Sequence, residues 1–214
     1  GSASTKFFIN YAGQVGIGTT SPGTLLDLLG TNARLRLRPA ADTQVTDIAF
    51  GNAAGSSTRG LIRYDHNAED MFFETNASER MRLDSSGRLL IGTSSGRTGF
   101  FNTATITPFI QLEKNGPSND GRFMSIVSNP GASSDYMPAL IFGKSRSTTA
   151  GGVTGVANGD EIGGISFQGA DGSQLVEAAS IKCIVDGTTG TDDMPGRLVF
   201  STTADGASSP TERM

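Results

Sequence analysis

The chain has 214 residues, a formal net charge of −4 and a pI near 5.0, with no dense Lys/Arg run, which excludes nucleic acid or an anionic membrane surface as a partner. Leu, Ile, Val and Phe together make about 22% of it, just above the roughly 20% below which chains stay disordered, so a thick single-chain core is poorly supplied. Gly, at 29 residues, is about twice as frequent as usual and lacks the every-third period of collagen, so many tight turns are implied. No apolar run approaches the ~20 residues of a spanning helix, and no secretory leader opens the chain, so no membrane insertion is expected. Gly1-Ser2 resembles a cloning scar. Cys183 is alone, and in Ser180-Ile181-Lys182-Cys183-Ile184-Val185 it reads as a small strand residue rather than a reactive thiol.

In chain order, the first element is the stretch Lys6 to Ser21, which aligns without gaps on Arg80 to Ser95. In the second copy Met81 and Leu83 alternate with Arg80, Arg82 and Asp84, the period-two pattern of a strand with one buried face. Asp84-Ser85-Ser86-Gly87 then makes a turn, with Asp bonding the backbone two residues on and Gly accepting positive φ. A second strand carries Leu89, Ile91 and Thr93 on one face. One such hairpin cannot stand alone in water, so its apolar face must meet another element or another chain. A third copy begins at Glu212-Arg213-Met214, repeating Glu79-Arg80-Met81. These joints predict a partial joint over residues 1–12, a first β module over 13–86, and a larger second module over 87–214 that is cut within the next joint.

Inside the first module the predicted strands are 34–38, where Arg and Leu alternate, then 47–51, 60–64 and 70–75. Thr24 to Leu29 reads equally as a short helix or a buried strand, the latter because it aligns with Thr98 to Thr103. In the second module the predicted strands are 108–113, 122–128, 139–144, 161–168, 176–186 and 196–203. Leu140-Ile141-Phe142-Gly143 echoes Ile48-Ala49-Phe50-Gly51, and Leu198 to Thr202 echoes Met71 to Thr75, so a duplicated module is expected. The loop from Ser145 to Gly159, rich in Ser, Thr, Gly and Ala, is expected to be mobile or to project from a tip. The fold class is all-β, built of short strands.

The motif Ser78-Glu79-Arg80-Met81-Arg82-Leu83-Asp84-Ser85-Ser86-Gly87, followed by Leu90-Ile91-Gly92-Thr93, resembles the recurring signature of bacteriophage tail-fibre and related virion adhesin proteins. Val15-Gly16-Ile17-Gly18-Thr19-Thr20-Ser21-Pro22 is closer still to the usual wording. The resemblance implies an elongated, intertwined parallel homotrimer, with joints as narrow shaft segments between wider β modules. It implies a structural and adhesive role in the virion, other tail-fibre segments or tail proteins as partners, a host-surface glycan or protein as target, and synthesis in the host cytoplasm. Such proteins often end in a cleaved intramolecular chaperone, of which this sequence shows none. The first joint departs from the signature at Phe7 to Ala12, and the second has Leu89-Leu90 where the first has Val15-Gly16.

A thin hydrophobic supply and many short strands point the same way, since strands that lack a core gain one from symmetry mates. Val15, Ile17, Met81, Leu83, Leu89 and Ile91 are the residues expected to face a trimer core. Tyr136 is the one loop aromatic suited to receptor contact, weighed against a core-capping Tyr; the alternative function is a second module that itself binds a receptor or glycan through its loops. A polysaccharide-cleaving tailspike is a weaker alternative, because the carboxylate groups Asp65, Glu69 and Asp70, Asp160 and Glu161, and Asp192 and Asp193 all fall in turns. No catalytic residue is expected. His66 lacks a second His or Cys at ligand spacing and reads as a surface-turn histidine rather than a metal ligand. Gly16 to Ser21 lacks the Lys and helix of a phosphate loop, so no cofactor is expected. Asn76-Ala77-Ser78, formally a glycosylation acceptor, reads as a polar turn.

Overall fold

A short Asx-type turn sets the first hairpin and its later copy. In the computed structural model, which describes residues 7–52, 58–101, 106–113, 124–129 and 138–214, strand β1 (Phe8–Ile9) turns through Asn10 to Gly13 into β2 (Val15–Ile17). Asn10 Oδ1 accepts the backbone amides of Ala12 and Gln14, each at 3.0 Å, and Gly13 takes φ +75°. A third strand, β3 (Leu26–Leu28), pairs parallel with β2, so the first sheet has the order β1-β2-β3.

Six strands in sequence order make the second sheet: β4 (Val45–Gly51), β5 (Thr58–Asp65), β6 (Asp70–Thr75), β7 (Ser78–Leu83), β8 (Leu89–Ile91) and β9 (Ile110–Leu112). All pair antiparallel except β8 with β9. Asn76 and Ala77 both have φ near +50°, the signature of the two-residue turn whose twist suits a tight hairpin. The third sheet holds β10 (Glu161–Ala170), β11 (Leu175–Val185), β12 (Gly196–Thr202) and β13 (Thr211–Glu212), all antiparallel. The described residues contain no helix, hence none long and apolar enough to cross a membrane.

The joints share their register as well as their turns. Ile9 pairs with Val15 and Phe8 with Gly16 in the first; Leu83 pairs with Leu89 and Arg82 with Leu90 in the second. Arg80 Nε donates to Thr75 Oγ1 at 2.9 Å, and Arg213 Nε donates to Thr202 Oγ1 at the same distance. The third joint therefore begins as the second does.

Several predicted elements differ. Thr24 to Leu29 contains the strand Leu26–Leu28 and no helix, and it is not buried, since Leu25 and Leu29 are 75% and 63% exposed. Its counterpart beside the second joint is Ile110–Leu112 rather than Thr98 to Thr103, because a gapless alignment overlooks the longer connection after β8. The alternating segment 34–38 forms no ladder: alternation specifies two faces but supplies no neighbouring strand. Of the predicted strand 122–128, residues 122 and 123 lie outside the described residues and 124–128 form no ladder; nor does 139–144, although Phe142 lies over β10 so closely that a Cβ on Gly163 would come within 2.4 Å of Phe142 Cβ.

Candidate functional site

Alternation along six paired strands gives the second sheet two unlike faces. On one, Ile48, Ile62, Phe73, Met81, Ile91 and Leu112 lie side by side across the whole sheet. Beside that row run Tyr64, Met71, Leu83, Leu89 and Ile110. This face is open: Ile48 is 45% exposed, Leu83 48% and Leu112 60%. Soluble monomers rarely leave a contiguous apolar surface of this extent uncovered.

The opposite face carries the charges and is better covered. Asp47 and Arg63 form a two-point pair at 2.6 and 2.9 Å, and Glu74 stands 3.9 Å from Arg63. Arg82 bonds both oxygens of Glu79, at 2.8 and 2.6 Å, and also Asp70. The ring of Phe72 lies between the two guanidinium groups, 5.7 Å from Arg63 and 5.2 Å from Arg82. Beneath this ladder Leu61, Phe72, Leu90 and Gln111 are buried. Side-chain hydrogen bonds to Glu79 raise Arg82 above its ordinary value, and Asp47 does the same for Arg63.

Of the six residues expected at a trimer core, Met81, Leu83, Leu89 and Ile91 share the open face. Val15 and Ile17 lie on the first sheet, where Ile9, Leu26 and Leu28 join them in register on one face. Ile48, Ile62, Phe73, Ile110 and Leu112 extend the second surface beyond the sequence expectation; their signal was the period-two pattern of each strand taken separately. The third sheet repeats the arrangement, with Ile165, Ile181 and Phe200 in one row and Cys183 beside Leu198 in the next. Ile165, Ile181, Cys183 and Leu198, with Phe142, line an apolar slot of about 240 Å³.

Tyr136 lies outside the described residues. His66 Nε2 is 2.9 Å from Thr46 Oγ1 and its ring meets Tyr64 edge-on at 4.8 Å. Among the described residues no three His, Cys, Asp or Glu side chains gather in a way suited to a metal. Asp65, Glu69 and Asp70 are engaged in structure. Asp65 accepts the amides of Asn67 and Ala68, Glu69 bonds Tyr64, and Asp70 accepts the amide of Ser85 besides Arg82.

Asp160 is held far below the usual carboxylate range, first by Arg146, then by the Ala157 amide and Lys144. These bonds tie down the base of the loop from Ser145 to Gly159, whose Val156 is buried and whose Gly159 amide donates to the Val185 carbonyl. The tip is open, with Val153 94% exposed.

Three sheets with open apolar faces can be set beside solved folds. The carboxy-terminal domain of the bacteriophage T5 L-shaped tail fibre, solved with its intramolecular chaperone domain, superposes with a TM-score of 0.62 at 14% identity. The fold is that of a phage tail-fibre domain. The match covers 86% of this chain and 57% of that one, so the chain spans little more than half of the chaperone-bearing structure. The same T5 domain solved by itself gives a TM-score of 0.60 at 15% identity, covering 86% of this chain and 83% of that one. Neither a protein-family model nor a curated protein sequence matches the chain.

Proposed function

We propose that the chain is a structural and adhesive segment of a phage tail fibre that works as a parallel, intertwined homotrimer within the virion. The carrying observation is the inversion of the second sheet. Its apolar face is exposed on five of the six strands, with Ile62 and Tyr64 of β5 half-buried between them, while its charged face is sealed by paired guanidinium and carboxylate groups. A single chain that folds this way leaves most of its hydrophobic gain unrealised, and threefold closure of identical faces realises it without leaving an open interface. Val15, Ile17, Met81, Leu83, Leu89 and Ile91 face the shared core in this arrangement. The likeness of fold to a tail-fibre domain supports the same role, with neighbouring tail-fibre parts as partners and support of host-surface attachment as the task. Asp65 caps a turn and Asp70, Asp160 and Glu161 pair with Arg or Lys, in keeping with a non-catalytic segment.

Light scattering at micromolar concentration tests the assembly. Three chains of 22.2 kDa give about 67 kDa, and a stable 22.2 kDa species overturns the reading. A second reading, receptor contact by the larger module, draws support from the anchored loop with its exposed tip at Val153. A host-cell pull-down with the loop tip replaced by glycines separates the two.

A further inference from the structure

The apolar face of the third sheet has a notch built into it. Between Glu161 and Gly163 the register of β10 against β11 slips by one residue, which makes Ile162 the extra residue of a bulge. Gly163 shares the face of Cys183 and Leu198 and brings no side chain to it. Phe142 uses part of the space left, since a Cβ on Gly163 would come within 2.4 Å of Phe142 Cβ. The remainder is the slot of about 240 Å³ walled by Ile165, Ile181, Cys183 and Leu198. That volume lies below the roughly 300–1,000 Å³ of small-molecule sites and is on the scale of a side chain.

Beside the slot stands a side chain that does not fill it. Ile141 directly precedes Phe142, is 86% exposed and takes no part in the lining. Its segment, 139–144, has no ladder partner within the chain, and Leu140 is 58% exposed. The whole chain exposes 15845 Å², against about 9,400 Å² for a compact monomer of its mass. Even half of the difference, about 3,000 Å², exceeds the roughly 800 Å² that each partner buries in a standard interface. An excess of that size calls for cover along much of the chain, which identical copies supply.

We propose that Ile141 of one copy enters the slot of the next, locking three chains head to tail around a common axis. The proposal rests on the trimeric reading and adds to it the two surfaces that meet. Knob and slot are different patches, so the contact is heterologous: it closes into a ring when the rotation between copies is threefold, and otherwise runs on. Ile141 is one residue from the Phe142 that walls the slot, so knob and slot lie side by side on each chain. Three copies about one axis can then each give and receive.

Cys183 walls the slot and is the single cysteine of the chain, which supplies the test. The whole chain carrying Ile141→Cys is oxidised with copper phenanthroline and run on a non-reducing denaturing gel, and the mass before oxidation is measured by light scattering. Bands of two and three chains are expected, with peptide mass spectrometry placing each link between the introduced thiol and Cys183. A disulfide needs Cα atoms within about 7 Å, so the link reports seating in the slot. No three-chain band is expected from oxidised wild type or from Val153→Cys, at the exposed loop tip. Ile141→Ala removes a side chain that the single chain leaves in water, so the far-ultraviolet spectrum should stay unchanged. The melting temperature of the trimer should nevertheless fall by at least about 5 °C, because the same side chain is buried on assembly. An unchanged melting temperature overturns the proposal. A trimer mass without the three-chain band, or with the link formed inside one chain, refutes the seating and leaves the trimer standing. A mass of 22.2 kDa refutes the trimer and this contact with it. Bands beyond three chains replace the closed ring by an open string and overturn the proposal as well.

Discussion

Asn10 and Asp84 occupy the same turn position, and each accepts two backbone amides through one side-chain oxygen. Asp84 adds an ion pair to Arg88 at 2.6 Å. Burial pushes the Asp84 carboxyl up, but the Arg88 guanidinium and the amides of Arg88 and Ser86 outweigh it and leave it below the usual carboxylate range. A depressed folded value means that the stabilisation is present above the unfolded value of about 4 and is lost as pH falls through the folded one. Asp84→Ala should therefore cost about 1–2 kcal/mol at neutral pH through two unmet amides. Asp84→Asn, which copies the first joint, should cost less and make the acid limb below about pH 4 shallower. Urea unfolding followed by circular dichroism across pH checks both. If Asp84→Asn unfolds with the wild-type acid profile, the carboxylate is not a source of the pH dependence.

Glycines in the joints differ in what they tolerate. Gly18 has φ +83°, and a Cβ there would come within 2.1 Å of the Leu29 carbonyl oxygen, whereas Gly87 has φ +74° with open space around it. Gly87→Ala should cost about 1 kcal/mol from backbone conformation alone. Gly18→Ala should cost more, because the chain after β3 must move away. Equal losses in the two melting curves would show that the Leu29 contact yields freely.

At the level of elements, the ladder on the covered face depends on Arg82. Its guanidinium serves Glu79 and Asp70 at once and lies over Phe72. Asp70 is 6% exposed, so Arg82→Ala strands a buried carboxylate beside one remaining amide donor, and a loss of about 3 kcal/mol is expected. Arg80→Ala, two residues away, removes bonds to Thr75 at an exposed position and should cost under about 1 kcal/mol. Denaturant midpoints compare the two directly, and similar losses would contradict the ladder.

That contrast also marks what could be read in advance. The hairpin of the joint, its turn and the shared face of Met81, Leu83, Leu89 and Ile91 are local, so period and turn chemistry disclose them. The unequal roles of Arg80 and Arg82 are not local. They arise from the pairing of β6 with β7 and from the register shift between Phe73 and Glu74, which brings Glu79 and Asp70 to the same guanidinium. For the same reason the Arg-Leu alternation of 34–38 disclosed two faces but not the missing partner strand.

For the whole molecule, the question is which face another copy would cover, and the open row through Ile91 supplies a direct test. Ile91 sits between Met81 and Leu112 in register and is 37% exposed in the single chain. An aspartate there remains in contact with water as long as the chain is alone, so the strand ladder and the far-ultraviolet spectrum should survive. Once identical faces close on one another, the same carboxylate loses its water without a cation nearby, at a cost of several kcal/mol in each of three copies. Ile91→Asp should therefore reduce the mass in light scattering from about 67 kDa to the 22.2 kDa of one chain. Arg197→Gln, at a half-exposed ion pair on the third sheet, should leave the mass unchanged because it touches no part of the open row. An Ile91→Asp protein that keeps the trimer mass would move the interface to the first or third sheet, where Ile17 and Phe200 present the corresponding apolar rows.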